Sequence, residues 1–256
     1  MFCRVSDTHP TFNSAILGEH YNGRDRALRG GKANRIPQEQ PMTASPKLLQ
    51  NFLTDTWVKA TWEEFMALAY NPTYETAKAY YNRGKARIEM TPIGWNHAED
   101  NSIISTLVIL FCALRRIPVK ELTNCSFRKT NLQEAQPDIA FYIASLDNIP
   151  PRSNSPVDLN QFAPPALVVE MAASSVGDDL GEKRLLYERL AVQEYWVVDV
   201  NRTELTAFAV ADGGSRQIDT SQVLPGLTMA LVRETLERSR AEEHGAITRW
   251  LLSQFS

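Results

Sequence analysis

Cysteine is scarce in this 256-residue chain, and the three present, Cys3, Cys112 and Cys125, show neither CxxC spacing nor a histidine grouping. That excludes a zinc ribbon and predicts reduced thiols with no structural metal. Long apolar runs are also missing. The longest, residues 107–114, has eight residues, where a bilayer span needs ~20, and no charged-then-apolar leader opens the chain. The expectation is a cytoplasmic protein with no membrane partner. Positive charge is not in excess: 27 Lys and Arg face 30 Asp and Glu, for a net charge of −3. A broad basic footprint of the DNA-coating kind is thereby excluded. A local patch from Arg115, Arg116, Lys120, Arg128 and Lys129 stays open, beside the plainer reading of these as solvated surface charges.

What is present is the composition of a globular protein, 43% hydrophobic and 22% charged, in a length that suits one core. Residues 1–41 carry scattered Gly, Asn, Arg and Pro without an apolar period. They read as a disordered N-terminal extension, with Met42 as a candidate for the true start. Residues 42–256 read as a single domain, and no internal repeat is found.

Thr61 followed by Glu64 has capping-box spacing and predicts a helix over TWEEFMALA. YETAKAYYNRG predicts a second helix ending at Gly84, and KARIEM alternates as a half-buried strand does. The longest early helix is expected over 95–116, with Ile104, Leu107, Val108 and Phe111 as its buried stripe; Asn101 and His97 continue that stripe backwards. Strands follow near SFRKT and over 138–142, 166–171 and 194–200, the last three as sheet neighbours, with a helix over 178–190 between the last two. LTAFAV and SRQID flank the hairpin signal Asp212-Gly213-Gly214, and a charged helix over 229–255 ends the chain.

Three residues carry chemistry that bulk composition does not require. Pro137-Asp138 opens a strand whose next residues are apolar, although the dipeptide alone means little. Glu170 sits near the C-terminal end of a strand otherwise reading Leu, Val, Val and Met. A carboxylate there is paired, protonated or bound to a cation, because isolated burial of charge costs several kcal/mol. A plain salt bridge is one solution, but strand ends are also where open α/β sheets place ligands. Lys183 falls between Leu180, Leu186 and Tyr187 on a helical face, where a lysine either snorkels to the rim or meets an anion. Two carboxylates at strand ends supply hard oxygens for Mg²⁺ or Mn²⁺, and a lysine beside them can steady developing negative charge. Metal-dependent phosphodiester hydrolysis needs that equipment.

The blocks RIEMTPIGWNHAEDNSII, QPDIAFY, LVVEMAASS, GEKRLLYERLAVQEYWVVDV and LPGL resemble, in order and spacing, the Uma-two family of restriction endonucleases, domain-of-unknown-function family 820, over residues 57–255. That family belongs to the PD-(D/E)XK nuclease superfamily. The resemblance implies an α/β fold, a restriction-endonuclease-like mixed sheet with flanking helices. It implies Asp138 and Glu170 as the motif acids, the Met171 backbone carbonyl as a further metal ligand, Mg²⁺ or Mn²⁺ as cofactor, and nucleic acid, DNA first, as substrate. The lysine place two residues beyond the acid holds Ala172, and Lys183 matches the helical place to which the family's lysine has moved. Tyr187 and Tyr195 fall on recurrent positions expected to pack. His97 matches the helix opening, as a neighbour of metal or phosphate or else as a cap or core hydrogen bond. The family's Tyr-Glu-Leu stretch is replaced by Ala79-Tyr80-Tyr81-Asn82, leaving Glu89 as a weak substitute for any further acid. A homodimer is expected if both strands of a duplex are cut. Against the enzyme stand a catalytically idle nucleic-acid-binding or regulatory module that keeps the fold, and a partner-binding protein using the C-terminal helix.

Overall fold

A strand apolar on both faces needs cover on both, and Leu167–Ala172 (β9) finds it near the middle of a six-stranded sheet. This computed structural model describes residues 52–255 apart from 91 and 148; the expected disorder of 1–41 and the Met42 start lie outside the described residues. All described residues belong to one compact unit. The sheet runs Gly214–Gln217 (β12), Glu204–Ala211 (β11), Glu194–Asp199 (β10), β9, Ile139–Ile143 (β7), Val119–Thr123 (β4). β9 and β10 are parallel and the other pairs antiparallel. The three strands expected as neighbours are therefore neighbours.

Period-two alternation divides β9 between two cores. Leu167, Val169 and Met171 join Trp196, Val198 and Phe141 under the helices Trp95–Arg115 (α2), Met229–Ser239 (α5) and His244–Phe255 (α6). Val168 and Ala172 join Tyr195 and Val197 beneath Leu186, Tyr187 and Leu190 of Arg184–Leu190 (α4). Glu170 points to this second side. α2 is long and apolar enough to cross a bilayer by length and composition alone. Here its stripe Ile104, Leu107, Val108 and Phe111 is buried in the first core.

A second sheet runs Val58–Lys59 (β1), Lys85–Glu89 (β3), Lys78–Asn82 (β2), Gln133–Ala135 (β6), Phe127–Lys129 (β5), Val157–Asp158 (β8). Trp62–Ala69 (α1) covers it, opened by the capping box in which Thr61 and Glu64 each accept the other's backbone N–H. The helix expected over YETAKAYYNRG is not there. A 3-10 turn, Pro72–Tyr74, leads instead into β2. Tyr80 and Tyr81 go to opposite faces and into different cores, an arrangement a strand provides and a helix does not. Arg83 and Gly84, at φ 45° and 92°, form the hairpin turn to β3, so Gly84 ends a strand rather than a helix.

Two further expectations change. The helix over 229–255 breaks at residues 240–243, where Arg240 turns inward to the buried Asp100, 2.7 Å away. The helix over 178–190 is composite: a short turn, Val176–Asp178 (α3), a π turn, Asp179–Lys183, and then α4. Cys112 and Cys125 are free thiols.

Candidate active site

Asp138 directly precedes β7 and is 3% exposed. Its Oδ2 accepts the Met171 N–H at 2.7 Å, which ties it to the neighbouring strand β9. Its Oδ1 takes the Lys78 ammonium at 2.5 Å, with His97 Nε2 at 3.3 Å. Burial alone would raise this carboxyl, but the His97 hydrogen bond and the Lys78 charge outweigh it and hold Asp138 well below the usual carboxylate range.

Glu170 is 2% exposed, and its environment does the opposite. Burial pushes its carboxyl up to about 8 against the pull of Lys183 and Lys78. Oε1 accepts the Tyr187 hydroxyl at 2.6 Å; the Tyr80 hydroxyl, which donates to the Gln136 carbonyl, lies 3.4 Å from the same oxygen. Among the described residues no hydrogen bond or ion pair reaches Oε2. Glu194 makes a useful contrast. This fully buried acid accepts from Trp196, Ser221 and the backbone N–H groups of Gln222 and Val223. Its capacity is used up in holding a loop.

Lys183 does not snorkel. It is 2% exposed, with Nζ 2.9 Å from both Glu89 and Asp179, 3.9 Å from Glu170, and 4.4 Å above the Tyr80 ring. Burial works against its charge, but Glu170, Asp179 and Glu89 prevail and its pKa is raised. Asp179 and Lys183, four residues apart in the π turn, pair with one another, and Lys183 also reaches Glu89 of β3. Glu89 is shared with Arg87 at 2.9 Å, and the Lys183 and Arg87 charges, outweighing burial, lower its pKa.

A cavity of about 820 Å³ joins these groups; Lys78, Glu89, His97, Asp138, Glu170, Met171 and Lys183 all line it. The fold thus brings together every residue singled out for the site, Met171 included, whose N–H rather than its carbonyl makes the recorded contact with Asp138. Tyr187, expected only to pack, also donates to Glu170. Lys78, Tyr80 and Asp179 escaped sequence reasoning. A period-two reading of KAY would have put Lys78 and Tyr80 on one face. Among the described residues lining this cavity, Arg115, Arg116, Lys120, Arg128 and Lys129 do not figure: Arg128 is paired with Glu134 and lies against Trp62 and Tyr70, while Lys120 lines a separate cavity of about 770 Å³.

A mixed sheet with acids at neighbouring strands, helices on both sides and a buried lysine close by defines a mixed α/β fold with a buried charged site. The chain belongs to the Uma2 family, described as "Putative restriction endonuclease", which matches residues 62–242. The fold is similar to the crystal structure of "a putative nuclease belonging to DUF820" from Anabaena variabilis, with 18% sequence identity and a TM-score of 0.51, over 69% of this chain and 99% of that one. No curated protein matches the sequence.

Proposed function

We propose that this protein is a Mg²⁺- or Mn²⁺-dependent endonuclease that hydrolyses phosphodiester bonds, in DNA before RNA. The observation that carries the reading is a pair of buried acids on one cavity, Asp138 tied to β9 by a backbone N–H and Glu170 with an oxygen that has no donor among the described residues. Among the described residues no group of three His, Cys, Asp or Glu is arranged to hold a metal. The donor set therefore suits a hard cation that completes its shell with water and substrate oxygens. Asp138, Glu170 and the Met171 carbonyl would hold it, and it would supply Lewis-acid polarisation of the phosphate and acidification of a water.

The protein's own groups do the rest. Glu170 must give up its proton to become a ligand, and the Tyr187 O–H keeps its other oxygen occupied. Asp138 enters ionised, oriented by the Met171 N–H and by His97. Lys183 carries a fixed positive charge beside Glu170, where negative charge gathers on the phosphate. One observation favours the second reading, an idle nucleic-acid-binding module: the Lys78 ammonium supplies Asp138 with a counter-charge.

Nicking of supercoiled plasmid separates the two. Wild type with Mg²⁺ should relax the plasmid, EDTA should stop it, and Glu170→Gln should leave it intact. Equal activity in wild type and Glu170→Gln would remove the acid from the reaction, and no nicking by wild type would favour the idle module. The same reading includes a cytosolic location and a homodimer; sedimentation giving the single-chain mass of 28.8 kDa would remove the dimer.

A further inference from the structure

We infer that Lys78 is an internal competitor for the cation of this site: its ammonium and a divalent metal use the same oxygen of Asp138 and exclude one another. The inference rests on the metal-dependent reading above. Asp138 has two oxygens, and Oδ2 is committed to the Met171 N–H at 2.7 Å. That donor is part of a central strand and cannot withdraw without disturbing the sheet. Oδ1 carries side-chain partners instead, the Lys78 ammonium at 2.5 Å and His97 Nε2 at 3.3 Å, and the ammonium is the charge that a metal ion there would displace.

Lys78 and Lys183 differ in how firmly they are held. Lys183 is fixed by three carboxylates. Among the described residues Asp138 is the one acid within ion-pair distance of Lys78, whose side chain is 17% exposed and lines the cavity. A lysine with a single anionic partner, a flexible stem and open space beside it can leave. A metal ion arriving at Oδ1 would otherwise stand in contact with a second cation, so the ammonium must swing into the cavity.

Removing the lysine charge should therefore tighten metal binding, the reverse of what loss of a supporting residue does. The test is calorimetric titration of the full chain with MnCl₂ near neutral pH. Lys78→Met should bind Mn²⁺ about tenfold tighter than wild type or more, that is by ~1.4 kcal/mol, and Lys78→Arg should stay as weak as wild type. In EDTA the Met variant should melt below wild type, because Asp138 loses its counter-charge, and added Mn²⁺ should raise its melting temperature more. Lys78→Gln keeps a donor for Asp138 without the charge and gives the same comparison if the Met variant does not fold. Equal or weaker Mn²⁺ binding by the uncharged variants, with wild type binding measurably, would overturn the competitor role alone. Absence of Mn²⁺ binding from wild type and variants alike would overturn the metal site and this inference with it.

Discussion

Lys183→Met should destabilise the fold by about 3–5 kcal/mol, the usual cost of removing one partner from a buried ion pair. The ammonium is 2% exposed and touches Glu89, Asp179 and Glu170. A methionine of similar length fills the volume but leaves the Glu89 and Asp179 carboxylates facing one another beside Glu170. For a domain of this size the melting temperature should fall by roughly 6–20 °C. The deficit should shrink in acid, as Glu89, whose pKa the Lys183 charge lowers against burial, gains a proton. Plasmid nicking, measured well below the lowered melting temperature, should drop by ~10²-fold or more, the scale for loss of one preorganised electrostatic group. An unchanged melting curve would contradict the charge balance described for Lys183. Unchanged nicking would confine the residue to a structural role.

The second large effect is a proton linkage on Glu170. Its folded pKa of about 8 lies above the ordinary 4.5, so at neutral pH the metal-free protein holds a proton that a ligand carboxylate must lose. Mn²⁺ binding at pH 7 should release about one proton, and affinity should rise about tenfold per pH unit until pH reaches the folded pKa. Asp138, held ionised, adds nothing in this window. Without metal the sign for stability is the opposite. The raised pKa favours the folded state while Glu170 is protonated, and that contribution is lost as pH rises from about 4.5 through about 8. Asp138, with its pKa lowered, contributes stability above about 3.8 that is lost on further acidification. Glu170→Gln should flatten the melting temperature in EDTA between roughly pH 6 and 9 while abolishing metal binding. Calorimetry in two buffers of different ionisation enthalpy reads the proton directly. An affinity independent of pH from 6 to 8 would show that Glu170 is already ionised in the free protein.

The parts of this site legible in the sequence are those where a polar residue interrupts an apolar pattern. Glu170 within LVVEM and Lys183 on an apolar helical face stand out because burial of charge demands a partner, and the partners exist. β7, β9 and β10 were readable as neighbouring strands because each is apolar enough to be central. Of the second sheet, β3 and β5 were expected as strands, but β1, β6 and β8 have only two or three residues each and owe their existence to distant partners. Lys78 was hidden by the same limit. YETAKAYYNRG suits a helix locally, and what makes it a strand is pairing with β3 across the Arg83-Gly84 turn and with β6, which lies far along the chain. The π turn at Asp179–Lys183 has no local signature either.

The charges around the cavity are divided between the two sheets. Lys78 and Glu89 come from the second sheet, while their partners Asp138 and Lys183 belong to the first sheet and its covering turn. Neither sheet can form its half alone without burying an ammonium or carboxylate that has no counter-charge, or leaving it in water and the core open. A half-folded chain is therefore electrostatically penalised as well as poorly packed. The same ion pairs that shape the cavity couple the two sheets, so a single calorimetric transition for both is the expected result.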